Sequence, residues 1–173
     1  MQPQSMQTKE SIVQDHSKMF IGNLLVKMFY PNILSFFLNK VGLFDMEARV
    51  SDVGYRVAQK LLNAWAPKER KIDPLIKFFF KKMWNTSIVI KKAKNENAII
   101  YRIIDKTCRY CDPEMVLEGV RHPCVTVLGY IKACLEYSSK KYPLPKYNLK
   151  TVKSRGSGNE YCEHQIIFEA GEI

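Results

Sequence analysis

The sequence predicts an α+β domain, with several helices packed on a small twisted antiparallel sheet. Three observations carry this. Apolar residues recur at helical spacing across the first half of the chain, and again after Pro123. Two pairs of β-branched-rich runs, each joined by a polar turn, read as β-hairpins. The helices and hairpins fall in blocks instead of alternating, which disfavours a parallel α/β sheet.

The helices come first. Residues 1–16 are polar and read as a flexible N-terminus, ahead of a single domain over 17–173. Phe20, Leu24, Leu25 and Met28 line one helix face, which Pro31-Asn32 breaks. Ile33, Phe36, Phe37 and Val41 continue to Gly42, a residue suited to a helix C-terminus. Asp45 can cap the next helix, whose stripe is Met46, Val50, Val53, Val57, Leu61 and Ala64, ending before Pro67. Asp73-Pro74 reads as a cap and first-turn proline, followed by Leu75, Ile76, Phe79 and Met83. Phe78-Phe79-Phe80 is apolar on too many sides for a lone surface helix, so it is buried on two sides or at a subunit contact.

The strands follow. Residues 87–92 and 98–105 form the first hairpin around Lys94-Asn95-Glu96-Asn97. A loop carries Cys108-Arg109-Tyr110-Cys111, and a short helix is expected from Asp112-Pro113 to about Gly119. Pro123 suits the first turn of a helix running to Ser139, with Val120, Cys124, Leu128, Ile131 and Leu135 on one face. Strands at 147–153 and 160–168 form the second hairpin. In the last strand Cys162, His164, Ile166 and Phe168 share one face. A helix that aims Cys124 inward and a strand that aims Cys162 and His164 inward can meet.

Composition narrows the function. The 173 residues carry a net charge of +10, with the basic residues spread along the chain as a solvated surface. Lysines interleave with aromatics near residues 77–82 and 146–150. That pattern fits core elements with solvated lysines better than a nucleic-acid surface, and no helix-turn-helix is visible. No run of about 20 apolar residues marks a transmembrane helix. Five cysteines, an odd number, point to a reducing, cytoplasmic setting and not to a disulfide framework. The Arg155-Gly156-Ser157-Gly158 turn does not open a helix, so it is not a phosphate-binding loop of the usual kind. No nucleophile elbow and no nicotinamide or flavin motif is present, which leaves an enzymatic role without a motif. Cys108 and Cys111 have a Cys-x-x-Cys spacing that zinc tolerates, while buried cysteines also serve as small hydrophobes.

Three segments carry a family resemblance. Val53-Gly54-Tyr55-Arg56-Val57-Ala58-Gln59-Lys60-Leu61 resembles the Gly-Tyr helix of the small TRAPP vesicle-tethering subunits. Pro123 to Glu136, with Gly129-Tyr130, is similar to the later part of those subunits and of the 4-vinyl-reductase-type domains, a predicted hydrocarbon-binding family of the same fold. Gly158-Asn159-Glu160-Tyr161-Cys162 leading into a strand resembles the end of the latter family. The resemblance implies a homodimer formed through helices and a buried apolar pocket for a small hydrophobic ligand. The lining expected is Val53, Val57, Leu61, Phe79, Leu128 and Ile131. It also implies a structural zinc, for which Cys124 and Cys162 match two ligand positions. The other two positions fall near Thr151 and Ser154, a departure from the family's cysteines and glutamate. Cys108, Cys111 and His164 are the substitutes this chain offers. The second reading the resemblance supports is a dimeric scaffold of TRAPP-subunit type, its pocket closed.

Overall fold

In a computed structural model, the backbone is described for residues 9–111 and 119–169, and side chains from residue 26 onward. The short helix expected over 113–119 lies almost wholly outside these residues. The elements run α1 (Lys9–Trp65), α2 (Ile72–Trp84), β1 (Val89–Lys94), β2 (Ala98–Asp105), α3 (Thr126–Ser139), β3 (Tyr147–Lys153) and β4 (Cys162–Glu169). A 3-10 turn, Pro123–Val125, leads into α3. The sheet is antiparallel throughout, in the order β1-β2-β4-β3, and the three helices pack on it.

Helix α1 departs from the expected punctuation. It begins at Lys9, inside the stretch read as flexible, and runs through Pro31. Proline removes one helical N–H, and next to it the Asn32 side chain donates to the Met28 carbonyl at 2.6 Å. The real break is Gly42, whose φ of 80° lies in the left-handed region that glycine adopts without strain. It separates an N-terminal arm, 9–41, from the body of the helix, 43–65. The start of α2 also differs. Lys71 occupies the cap position without a side-chain cap bond, and Asp73 sits in the first turn, where it pairs with Lys92 at 3.0 Å.

The hairpins lie where the alternation places them, and β3 has the expected bounds. The ends of β1 and β4 move by one or two residues, as frayed ends do. In β4, Cys162, His164, Ile166 and Phe168 are all buried under the helices. Phe79 and Phe80 are fully buried and Phe78 half-buried, so the phenylalanine run is covered on two sides within the chain. Phe79 contacts Trp65 and Tyr130, joining all three helices. Burying such a ring contributes about 2–3 kcal/mol of transfer free energy. No helix among the described residues is long and apolar enough to cross a membrane.

Two glycines set the distance between α1 and α3. A Cβ at Gly54 would run into the Thr126 carbonyl, and one at Gly129 would lie 2.5 Å from the Tyr55 amide nitrogen. This crossing brings the start of α3, and with it Cys124, down onto the start of β4.

Candidate metal centre and neighbouring clefts

Four cysteines from three parts of the chain converge. Cys108 and Cys111 come from the loop after β2, in a turn closed by the Cys111 N–H donating to the Cys108 carbonyl at 3.3 Å. Cys124 lies in the 3-10 turn ahead of α3, and Cys162 is the first residue of β4, paired with Asp105 at the end of β2. All four are buried and free, and their Sγ atoms lie within 4.8 Å of one another. Cys124 and Cys162 stand 3.8 Å apart. A tetrahedral zinc with bonds of about 2.3 Å separates its sulfurs by about 3.8 Å. A disulfide needs about 2.05 Å. The donor set, its count and its spacing therefore fit a four-thiolate metal site.

The electrostatics agree. Hydrogen bonds from Cys108, Cys124 and Cys162 pull the Cys111 thiol far below its ordinary pKa, and Cys108 is raised, first by its bond to Cys111. A buried thiolate is a charge that a bound cation offsets. The Arg155 backbone N–H adds a donor to Cys162 Sγ at 3.3 Å. Ser154 is fully buried, with its hydroxyl 3.1 Å from Cys111 Sγ and 3.8 Å from Cys124 Sγ. Ser154 thus reaches the cluster that its sequence position implied, as a neighbour of the sulfurs.

His164 is set apart from the sulfurs. It is fully buried, its Nδ1 is hydrogen-bonded to Thr151 Oγ1 at 3.0 Å, and it pairs with Ile103 and Thr151 across the sheet. Burial lowers its pKa to about 4, which leaves the ring neutral. Its Nε2 has no partner among the described residues.

An aromatic cluster adjoins the cysteines, and the periodicity arguments gave no sign of it. Tyr110, between the two loop cysteines, packs on Tyr30 with centroids 4.6 Å apart and edge-on against Trp84 at 5.6 Å. Its hydroxyl shares a hydrogen bond with that of Tyr130 at 2.5 Å. Tyr30 donates to the Pro123 carbonyl, next to Cys124. Burial raises the Tyr30, Tyr110 and Tyr130 hydroxyl pKa values.

The six residues expected around a ligand do not form one wall. Phe79 and Ile131 are fully buried, Leu61 and Leu128 half-buried, and Val53 and Val57 lie on the surface at 54% and 39% exposure. The α1 stripe is turned so that Ala58 and Leu62 face inward instead. The open spaces lie elsewhere. A groove of about 580 Å³ runs between the start of α2, the end of α3 and the sheet, over Ile72, Pro74, Tyr101, Tyr142 and Leu144, rimmed by Lys71, Lys77 and Lys92. A second, polar cleft of about 510 Å³ lies at the β3 edge.

No protein-family model matches the chain, and no curated protein matches its sequence. Solved structures do share its fold. The trafficking protein particle complex subunit 3 from Naegleria fowleri, covalently bound to palmitic acid, superposes with a TM-score of 0.64 at 16% identity, over 88% of this chain and 98% of that one. The phenol-responsive sensory domain of the transcription activator PoxR, with phenol, gives 0.58 at 9% identity, over 79% and 71%. These likenesses show an α+β fold common to a TRAPP subunit and a sensory domain.

Proposed function

We propose that the chain is a small-molecule-binding domain of the 4-vinyl-reductase type, braced by a structural zinc on Cys108, Cys111, Cys124 and Cys162. The observation that carries the binding role is the groove over Ile72, Pro74, Tyr101, Tyr142 and Leu144. Its volume of about 580 Å³ and its largely apolar floor suit a small hydrophobic molecule. The lysine rim favours a ligand with an anionic end, and Lys92 is already held there by Asp73 and by the Tyr101 ring, 4.7 Å from its centroid. The palmitoyl group and the phenol of the two structural neighbours are small and largely apolar, as the floor of the groove is.

The zinc would supply cross-linking, not catalysis. Four thiolates leave no open coordination position, and all four are buried. The ion would tie the loop after β2 to the start of α3 and to β4. The free thiols agree with a reducing, cytoplasmic compartment.

The test is displacement of a fluorescent fatty acid from the purified chain by palmitate and by phenol, with Leu144→Asp and Tyr101→Ala beside the wild type. Saturable binding weakened about tenfold or more by either substitution supports the reading. Absence of saturable binding, or binding indifferent to both changes, removes the groove as the site.

A specific observation favours a second reading, that of a dimeric scaffold. Met28, Phe29, Ile33 and Phe36 are exposed on the α1 arm, and Phe44 just beyond Gly42 is 85% exposed. A row of that kind suits a homodimer contact through helices. Sedimentation of the wild type and of Phe29→Glu/Phe36→Glu decides it: a dimer that becomes a monomer supports the scaffold, and a monomeric wild type removes it.

A further inference from the structure

The turn between β3 and β4 lies against the cysteine cluster and is built to stay there. Ser154 has extended backbone, a second 3-10 turn follows at Arg155–Ser157, and Gly158 closes it with a φ of 82°. The Ser154 carbonyl accepts from the Ser157 N–H at 3.0 Å, from the Asn159 N–H at 3.2 Å and from Asn159 Nδ2 at 3.0 Å. Its backbone is therefore fixed from within its own turn. The turn is also seated on the residue before Cys124, since a Cβ at Gly156 would come within 2.8 Å of Pro123 Cγ.

Two polar groups of this turn meet two different sulfurs. The Arg155 N–H donates to Cys162 Sγ at 3.3 Å, and the Ser154 hydroxyl stands 3.1 Å from Cys111 Sγ. Ser154 is fully buried, and among the described residues its hydroxyl is bonded to sulfurs alone, to Cys111 and, at 3.8 Å, to Cys124. Between a hydroxyl and a thiol either atom can donate. Thiolates on a metal ion carry no proton, so beside a loaded site the hydroxyl is the donor. Four thiolates also carry two charges more than a zinc ion neutralises, and holding that excess out of water is costly. Donors aimed at the sulfurs offset part of the cost without adding a counter-ion.

We propose that Ser154 is a positioning residue of the metal centre, whose hydroxyl donates to the Cys111 thiolate and sets how firmly the ion is held. This rests on the zinc reading given above and adds a residue that is not itself a ligand. The hydroxyl orients Cys111, and the Arg155 N–H does the same for Cys162. One short turn thus serves both a loop cysteine and the strand cysteine. A serine suits the position because its hydroxyl donates to a thiolate without competing with it for the ion. The role is independent of the hydrophobic groove.

The test uses cobalt(II) in place of zinc, because its thiolate-to-metal charge-transfer band reports the electron density on the sulfurs. The full chain, Ser154→Ala, Ser154→Thr and Ser157→Ala are titrated with cobalt in the absence of oxygen, and then with zinc against a competing chelator. Ser157 is the control within the turn, since its hydroxyl donates to the Arg121 carbonyl and to no sulfur. A hydroxyl donor lowers the energy of the sulfur lone pairs. Ser154→Ala is therefore expected to move the band to longer wavelength at full cobalt loading and to weaken zinc binding about tenfold or more. Ser154→Thr keeps the hydroxyl and should return the band toward the wild-type position, while Ser157→Ala should leave band and affinity unchanged. The band decides. If it stays in place in Ser154→Ala, or moves equally in the threonine or Ser157→Ala variant, Ser154 only fills space and the proposal falls, whatever the affinity does. A wild type that takes up neither metal overturns the zinc reading itself, an outcome distinct from a fully loaded wild type with an indifferent alanine variant.

Discussion

Gly129 on α3 lies against Gly54 on α1, so closely that a side-chain carbon on either would enter the backbone of the other helix. Each belongs to one of the glycine-tyrosine pairs that carry the resemblance to the TRAPP subunits. The tyrosines that follow point to different tasks. Tyr55 donates to the Glu136 carboxylate, which pushes its pKa up to about 12, while Tyr130 turns into the aromatic cluster. The nearest obstacle at each glycine is a backbone atom, which cannot rotate away, and all three at Gly129 are backbone. Gly129→Ala is therefore expected to cost about 3 kcal/mol or more, an overpacking penalty at the upper end of its usual range. An exposed helical glycine replaced by alanine would gain up to about 1 kcal/mol instead. Urea unfolding of the variant checks the sign.

Metal content is the second expectation. The purified chain should carry one zinc for its four-cysteine cluster, and Cys124→Ser and Cys162→Ser should each lose it with a marked fall in Tm. Cys134 is also buried, but it lies along α3 outside the cluster, so Cys134→Ala should keep the metal. Elemental analysis of the three variants separates a metal site from a cluster of small buried side chains. Retention of zinc in both serine variants would sink the assignment.

Much of this was legible in advance because it rests on period and punctuation. The β4 alternation placed Cys162 and His164 on one inner face, and the Cys-x-x-Cys spacing singled out the two loop cysteines that join the cluster. Two things were not legible. Helical periodicity defines a stripe but not its rotation against neighbours. The Gly54–Gly129 contact turns α1 so that Ala58 and Leu62 pack inward while Val53 and Val57 face out. Tyr30 and Pro123 are 93 residues apart in sequence, and no local pattern announces that they meet.

That contact gives the third expectation. Tyr30 reaches in from the α1 arm, its ring on Tyr110 and its hydroxyl on the Pro123 carbonyl. Tyr30→Ala removes a partly buried ring and leaves Pro123 without that donor, at a cost of about 2–3 kcal/mol. The space left would have the size and the acceptor for a phenol. Phenol should therefore raise the Tm of Tyr30→Ala more than that of the wild type, as thermal melts with and without phenol would show. Equal shifts in both would mean that the ring does not fill a ligand-sized space.

Acid should act through His164. Its ordinary pKa of 6.5 falls to about 4 in the folded chain, because burial disfavours the imidazolium. Below 6.5 the unfolded chain binds a proton that the folded chain refuses, so stability is full above that value and declines as pH falls toward 4. About 1.4 kcal/mol per pKa unit makes the total loss about 3 kcal/mol. Cysteine protonation and zinc release would destabilise the fold over part of the same range, so the wild-type curve alone does not isolate the histidine. His164→Asn keeps a polar group for Thr151 and cannot titrate. Its stability, measured by denaturant unfolding between pH 7 and pH 4, should fall less steeply than that of the wild type, and parallel curves would assign the acid sensitivity to the thiols.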